Sequence, residues 1–293
     1  MVEVEIPINV SLDLDKTLNC GQTFRWYKKK GKWYGVVNRT PLILYHNKTK
    51  CMLTVQSNCE EINGENLENG VIHYLGLNDS LQSIKGNALK QVEKTYPEFV
   101  LLFNEIVDTN IGIRLLRQDP WEMLVEYLLS TQSNIPTIKK RCETLASFFT
   151  ENQVFVGEYP FFLFPSIDQL RRLDVTDFQS MLFGYRSKWL KELVDVIDIK
   201  EFYTLKNTPL EQKLNYLTGF SGIGYKVANC VALFGFSDFR AFPVDVWISR
   251  FLKQHFNVTG NAESLMIVGQ NIFGEFCGYI QEYIFYYIRT SCS

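Results

Sequence analysis

The sequence predicts an α+β fold, in which an antiparallel sheet precedes a larger, all-helical part. Up to residue 55, short runs rich in β-branched and aromatic residues alternate with turn residues. From about residue 90, apolar residues recur at helical spacing. Further along, two apolar segments flank a turn with two glycines. We place the division between an α+β domain, residues 1–105, and a helical domain, residues 106–293.

Four strands are predicted in the N-terminal part, at residues 24–27, 32–37, 42–45 and 50–55. Each run is short, and residues such as Gly31 and Asn38 between the runs favour turns. Short connections of this kind join neighbouring antiparallel strands, so the pattern predicts a meander. Residues 57–70 are polar and rich in Asn and Glu, which predicts a loop.

Capping residues mark the starts of the first helices in the helical part. Asp119 precedes Pro120 at the head of an apolar stripe, and this pair is typical of a helix N-terminus. Ser166 and Gln169 have the spacing of a capping box. Residues 272–288 are apolar and aromatic, which predicts a packed helix.

A helix-hairpin-helix is predicted over about residues 208–236. Thr208 is the expected N-cap of its first helix, and Gly222 and Gly224 allow the sharp turn. The free N–H groups of the second helix attract an anion such as phosphate. Lys226 lies at this N-terminus, where the helix dipole disfavours its ammonium form and favours a nucleophilic amine.

Composition restricts the classes of partner. The net charge is −2 and the isoelectric point is about 6.0, so nucleic-acid binding through bulk positive charge is excluded. Any such binding must use local patches and backbone dipoles. Hydrophobic residues make up 46% of the chain, which is enough to bury a sizeable core.

The cysteines and the N-terminus indicate a reduced, intracellular protein. The seven cysteines are scattered, with no close pair, which argues against a zinc or iron–sulfur site: Cys20, Cys51, Cys59, Cys142, Cys230, Cys277 and Cys292. The histidines His46, His73 and His255 are too widely spaced to suggest a metal site. There is no membrane-length apolar run and no signal-peptide pattern. We expect a cytoplasmic monomer, associated with the nucleoid if the source is a prokaryote.

Five motifs occur in a characteristic order along the chain. They are Cys-Gly-Gln-Thr-Phe-Arg-Trp at 20–26, the segment 112–120, Gly-Tyr-Arg at 184–186, the hairpin 222–228 with Pro-Val-Asp-Val at 243–246, and Gly-Tyr-Ile-Gln at 278–281 with an aromatic at 285. Together they resemble the 8-oxoguanine DNA glycosylase/AP lyases of the helix-hairpin-helix, endonuclease III-like superfamily. The resemblance covers nearly the whole chain and implies a TATA-binding-protein-like sheet domain before the helical domain.

The resemblance implies base excision repair of duplex DNA that contains 8-oxoguanine. Such enzymes flip the damaged base out of the duplex. Lys226 would attack C1′, expel the base and form a Schiff base, and β-elimination would then nick the strand. Asp245 would stabilise the developing positive charge. The chemistry needs no cofactor or metal, although the hairpin carbonyls of relatives hold a structural monovalent cation.

The resemblance also assigns the residues that bind the damaged base. Cys230 and Phe285 would sandwich it. The carbonyl of Gly21 would accept the N7–H that 8-oxoguanine has and guanine lacks, and Gln281 would recognise the Watson–Crick edge.

A further set of residues is expected to bind DNA. Tyr185 would fill the gap left by the flipped base, and Arg186 would contact the opposite base. The other expected contacts are Gln132, Asn134, Gly222, Gly224 and Trp247. The chain departs from the family at Trp247, where relatives often have a histidine, and at Thr137, where relatives have an arginine that recognises the opposite cytosine. The short Thr137 side chain, together with Gln132 where relatives have an asparagine, predicts weaker selectivity for the opposite base than in relatives that keep the full set.

Other interpretations remain open at this point. A glycosylase of the same fold could act on alkylated or other oxidised bases, although Lys226 argues against monofunctional relatives. A non-catalytic helix-hairpin-helix protein could bind DNA with Lys226 on its surface. Asp245 could be only a helix N-cap, and Cys230 and Phe285 only core residues.

Overall fold

The computed structural model describes residues 1–291, so Cys292 lies outside the described part of the chain. Its N-terminal part is built on a five-stranded antiparallel sheet with the order β1-β5-β4-β3-β2. The strands are β1 Val2–Pro7, β2 Tyr27–Lys29, β3 Lys32–Val37, β4 Thr40–Asn47 and β5 Met52–Ser57. The predicted meander is confirmed for β3, β4 and β5.

The sheet differs from the prediction at its two edges. The strand predicted at 24–27 is wrong, because Phe24 is buried in the helical core and Trp26 under the sheet. The chain therefore crosses between two cores there, and β2 begins only at Tyr27. The edge strand β1 was not predicted, although Val4 and Ile6 alternate with glutamates as strand residues do.

Fifteen α-helices lie in the described chain. Their bounds are α1 Leu14–Asn19, α2 Leu67–Tyr74, α3 Leu81–Thr95, α4 Val100–Asn110, α5 Pro120–Leu129, α6 Ile135–Phe148, α7 Ile167–Arg171, α8 Val175–Ser180, α9 Arg186–Val196, α10 Ile199–Thr204, α11 Leu210–Thr218, α12 Tyr225–Phe234, α13 Val246–Phe256, α14 Ala262–Phe273 and α15 Cys277–Ser291. The predicted caps at Asp119 and Ser166 are confirmed, the second as a full capping box. No helix of residues 1–291 is both long enough and apolar enough to cross a membrane.

Two large hydrophobic cores organise the molecule. The smaller core lies between the sheet and helices α1 and α2. The larger core belongs to the helical part and already includes Leu81 and Ile84 of α3, which packs against α14, while α4 packs against α15. This packing favours a division near residue 80, and the boundary at residue 105 stays a prediction.

The helical part contains a β-hairpin that the sequence did not predict. Strands β8 Gln153–Val156 and β9 Tyr159–Phe162 pair with each other, and Val156 and Phe161 pack on Tyr34 and Ile43 of the sheet. A further short pair, β6 Glu61–Ile62 and β7 Glu65–Asn66, lies in the predicted loop. The fold class is confirmed, but the helical part is not entirely helical.

Candidate active site

Two adjoining cavities define the site. The first is an open groove of about 840 Å³ along the hairpin and the start of α13, and we call it the groove. The second is a narrow cavity of about 60 Å³ between α5, α12 and α15, and we call it the pocket. Lys226 and Asp245 line both. The two predicted catalytic residues therefore lie where the groove meets the pocket.

The hairpin places the N-terminus of α12 in the groove. Gly222 has a φ of +81°, and a Cβ there would lie 2.3 Å from Cε3 of Trp189, so both the turn and its packing require glycine. Gly224 is the N-cap of α12. The cap predicted at Thr208 is wrong, because α11 begins at Leu210, and the Thr208 hydroxyl instead donates to the Leu205 carbonyl at 2.9 Å.

Lys226 is the second residue of α12. Its Nζ lies 5.2 Å from the ring centroid of Tyr127, which itself stacks on Phe234. One turn after the start of the helix, Oδ1 of Asn229 accepts the N–H of Phe242 at 3.0 Å. This bond holds the segment that leads to Asp245 against α12. The predicted preference of Lys226 for the neutral amine stays a prediction.

Asp245 is the N-cap of α13, and its Oδ1 accepts the N–H of Ile248 at 2.9 Å. Burial raises the pKa of its carboxyl, while the Ile248 N–H and the charge of Lys226 lower it. The same side chain therefore caps a helix and lies close enough to Lys226 to interact with its charge.

Gly21 forms one wall of the pocket. Its φ is +117°, and a Cβ there would lie 3.2 Å from Cδ1 of Ile135 and 3.4 Å from Cε1 of Phe285. Its carbonyl accepts the Tyr127 hydroxyl at 3.3 Å. Arg289 of α15 donates to the preceding carbonyl, that of Cys20, at 2.7 Å. The last helix thus fixes the loop that carries Gly21.

The structure brings the four predicted base-binding residues together around the pocket: Gly21, Cys230, Gln281 and Phe285. Burial raises the pKa of Cys230 to about 11, so its side chain is a thiol at neutral pH. Oε1 of Gln281 is buried and has no hydrogen-bond partner in the described chain. The pocket therefore offers a free acceptor beside an apolar wall.

Four other residues line the pocket without a role predicted from the sequence, namely Tyr127, Phe234, Pro243 and Glu282. Tyr127 belongs to the apolar stripe that follows Pro120, a pattern typical of a core residue. Glu282 carried a usable signal, because a carboxylate within an aromatic helix, next to Gln281, is unexpected in a core. Burial raises the pKa of Glu282 to about 7.

Four of the seven predicted DNA-binding residues line the groove, namely Gln132, Gly222, Gly224 and Trp247. Gln132 has a φ of +49°, a left-handed conformation that is uncommon for glutamine. Tyr185 is half exposed, and its hydroxyl lies 3.3 Å from Oε1 of Gln132. Tyr185 therefore lies beside the groove.

The structure gives the other two residues roles within the protein. Arg186 is buried and donates to the carbonyls of Thr131 and Gln132. The Asn134 side chain caps α6 by accepting the N–H of Thr137 at 2.9 Å. Contact of either residue with DNA stays a prediction, because each would have to give up these bonds or use another atom.

Known proteins resemble this chain in sequence. Residues 5–124 match the family model described as 8-oxoguanine DNA glycosylase, N-terminal domain. The N-glycosylase/DNA lyase OGG1 of Arabidopsis thaliana is 29% identical over 249 residues, which cover 82% of this chain and 65% of that protein. The chain thus spans less than two thirds of the length of this relative.

Solved structures match over nearly the whole chain. MBOgg1 in complex with a low-affinity DNA ligand has a TM-score of 0.86 and 26% identity, and the match covers 99% of this chain and 96% of that one. The 8-oxoguanine glycosylase/lyase of Clostridium acetobutylicum, with double-stranded DNA containing cytosine opposite 8-oxoG, has a TM-score of 0.82 and 27% identity, covering 97% and 94%.

The hairpin, the lysine in the first turn of α12 and the carboxylate beside it form the arrangement expected of a helix-hairpin-helix DNA glycosylase with a lysine nucleophile. Within that class, the chain is similar to 8-oxoguanine DNA glycosylase/AP lyases, by the family model over its N-terminal part and by the named relatives and structures.

Proposed function

We propose that this chain is a bifunctional glycosylase/AP lyase that excises 8-oxoguanine from duplex DNA. One observation carries the proposal: Lys226 and Asp245 line both the groove and the pocket. A strand in the groove would present the C1′ of a flipped nucleotide to Lys226, while the base enters the pocket. The family and the named relatives support the choice of 8-oxoguanine as the lesion.

Lys226 supplies the nucleophile. Its amine attacks C1′, and the glycosidic bond breaks with its electron pair leaving on the base. Ring opening gives a Schiff base between Nζ and C1′. Loss of a C2′ proton then expels the 3′ phosphate oxygen and nicks the strand. Each step needs Nζ to remain beside C1′, and its place in the first turn of a buried helix provides that.

Asp245 and Cys230 set the surroundings of Nζ. The Asp245 carboxylate would stabilise the positive charge that develops on the sugar and on the attacking nitrogen. Cys230 remains a neutral thiol because burial raises its pKa, so it can pack against a base without repelling it. Their shared pocket supports a sandwich of the base between Cys230 and Phe285.

The Lys226→Gln variant tests this function. We expect wild-type protein to release 8-oxoguanine, nick the strand and form a borohydride-trapped adduct with lesion duplex. Lys226→Gln removes the nucleophile, so it should bind the duplex and do none of these. Lys253→Gln, the same change at an exposed position of α13, should behave as wild type. A trapped adduct at wild-type level in Lys226→Gln would overturn the assignment.

We further propose that the protein acts as a cytoplasmic monomer with duplex DNA as its partner. The described cysteines are free, and four of them are buried, which suits a reducing compartment. Sedimentation of the free protein and of its complex with a lesion duplex would test the oligomeric state.

A further inference from the structure

We propose that Glu282 recognises the flipped base together with Gln281, by accepting the N1–H and the N2 amino group of a guanine-type lesion. The inference deepens the proposed function, because it takes the pocket to be the base site. It adds a residue that determines specificity and that the resemblance did not assign.

Geometry places Glu282 in the wall of the pocket. Gln281, Glu282 and Phe285 lie within about one turn of α15. They span an arc of about 100° around it, because consecutive residues are about 100° apart and residues four apart are about 40° apart. All three line the pocket. Glu282 is 3% exposed and Gln281 is 5% exposed. The polar side chains are therefore withdrawn from solvent and adjacent.

Both side chains have an acceptor oxygen without a partner. Oε1 of Glu282 and Oε1 of Gln281 are buried and form no hydrogen bond with described residues. A buried acceptor that lacks a donor is costly, and a carboxylate is more costly than an amide. The ligand that suits this wall must therefore bring N–H donors.

The Watson–Crick edge of guanine has two adjacent donors, N1–H and the N2 amino group, and oxidation at C8 leaves them in place. A carboxylate has two acceptor oxygens and no donor, so it suits this pair. The adenine edge instead has an acceptor at N1. This nitrogen and the carboxylate oxygen would face each other as two acceptors with no hydrogen between them, so no hydrogen bond could form. Glu282 thus favours guanine-type over adenine-type lesions at an edge remote from N7.

Charged and titratable groups surround Glu282 on every side. They are Lys226 and Cys230 of α12, Tyr127 of α5, Asp245 at the start of α13, Cys20 after α1, and Arg289 on α15 itself. Burial raises the pKa of Glu282 to about 7, while the Cys20 thiol and Arg289 lower it and Asp245 raises it. The acceptor form should therefore increase as the pH rises through about 7.

Excision of paired lesions tests the inference. Single-turnover rates are measured on duplexes with 8-oxoguanine or 8-oxoadenine, which share the N7–H and C8 carbonyl. Each rate is divided by the same protein's cleavage rate on abasic duplex, which removes losses due to misfolding. Glu282→Gln should lower the preference for 8-oxoguanine by about tenfold to a hundredfold, the scale of one good contact to a base edge. The wild-type excision rate should rise as the pH increases through about 7, where Glu282 loses its proton. Glu282→Gln should lack this rise.

Glu126→Gln is the matched control. Glu126 is 1% exposed, and both of its carboxyl oxygens lack partners, but it does not line the pocket. Its substitution should leave the lesion preference at the wild-type value. An equal drop in both variants would overturn the inference, as would an unchanged preference and pH profile in Glu282→Gln.

A second measurement needs no variant. Wild-type protein should excise 8-oxohypoxanthine, which lacks only the N2 amino group, about tenfold or more slowly than 8-oxoguanine. Equal rates would overturn the role of Glu282 even if Glu282→Gln does not fold. Failure of wild-type protein to excise 8-oxoguanine at all would instead contradict the proposed function.

Discussion

At the scale of single residues, the Asp245 carboxylate has two roles. It caps α13, which a neutral amide could also do, and it can stabilise positive charge, which a neutral amide could not do. Asn is as good an N-cap as Asp, so Asp245→Asn should keep the bond from Ile248 and melt as wild type does. Excision should fall by roughly a hundredfold or more, the scale of losing one transition-state electrostatic contact. Single-turnover excision and thermal melting are the measurements.

Asp198→Asn is the matched control for this prediction, because Asp198 caps α10 and does not line the groove or the pocket. It should leave excision unchanged. Full excision by Asp245→Asn would reduce Asp245 to a helix cap.

A side chain added at Gly21 should impair binding of the base more than the reaction at the sugar. Ala at a φ of +117° costs about 1–3 kcal/mol and crowds Phe285, so Gly21→Ala should slow 8-oxoguanine excision more than abasic-strand cleavage. Rates on lesion and abasic duplexes, with thermal melting, check this. Gly31→Ala adds similar strain, at a φ of +79°, in the open turn between β2 and β3 and should lower melting alone. Equal losses of both activities in Gly21→Ala would mean that misfolding causes them.

Most of the site could be predicted because its residues belong to short motifs. Lys226, Asp245, Cys230 and Gln281 were identified from the sequence, and the structure gathers them around one pocket. Tyr127 could not be identified in this way. Its role depends on how α5 faces α12, and nothing in its own helix distinguishes it from a core aromatic.

At the scale of elements, the turn before α6 and the turn before α9 form one unit. Arg186 donates to the carbonyls of Thr131 and Gln132, and its guanidinium lies 4.3 Å from the ring centroid of Tyr185. Its hydrogen bonds therefore support the turn that presents Gln132. The sequence shows an arginine next to Tyr185 but cannot show that backbone carbonyls already accept hydrogen bonds from it.

This arrangement strengthens the prediction of weak opposite-base selectivity. Thr137 is too short to replace an arginine, and Arg186 is engaged within the protein. Single-turnover rates opposite C, T, G and A should therefore lie within about one or two orders of magnitude, the scale of a single good contact to a base edge. Thr137→Arg should increase the preference for C.

Thr176→Arg, in the exposed first turn of α8, is the matched control and should leave the four rates in their wild-type ratios. Strict selectivity for C in wild-type protein, over several orders of magnitude, would show that other residues recognise the opposite base.

The hairpin illustrates why element boundaries were only partly predictable. The second helix of the predicted helix-hairpin-helix is confirmed as α12, because its apolar face and the preceding Gly224 are local signals. Thr208 failed as a cap because a short helical turn at Leu205–Asn207 engages its hydroxyl. The requirement for glycine at Gly222 arises partly from Trp189, which belongs to another helix.

At the scale of the whole molecule, the motif at 20–26 joins the two parts of the protein. The Gln22 amide donates to the carbonyl of Arg114 at 2.7 Å and accepts the N–H of Leu116 at 2.8 Å. Arg25 forms a buried ion pair with Glu122 at 3.0 Å. Breaking such a pair leaves an uncompensated buried charge. The motif therefore positions Gly21 against the helices, a function that its sequence alone does not reveal.

The narrowness of the pocket has a consequence for how the protein searches DNA. A cavity of about 60 Å³ holds a few water molecules, far less than a purine. Guanine and 8-oxoguanine are similar in size and both far larger than this cavity, so its walls must move to a similar extent for either base. The free-energy cost of widening the pocket is therefore nearly equal for the two bases. A cost that is equal for two ligands cannot discriminate between them. Discrimination against guanine must therefore come from the contacts made inside the pocket. We expect intact guanine to enter the pocket and to leave it without being excised.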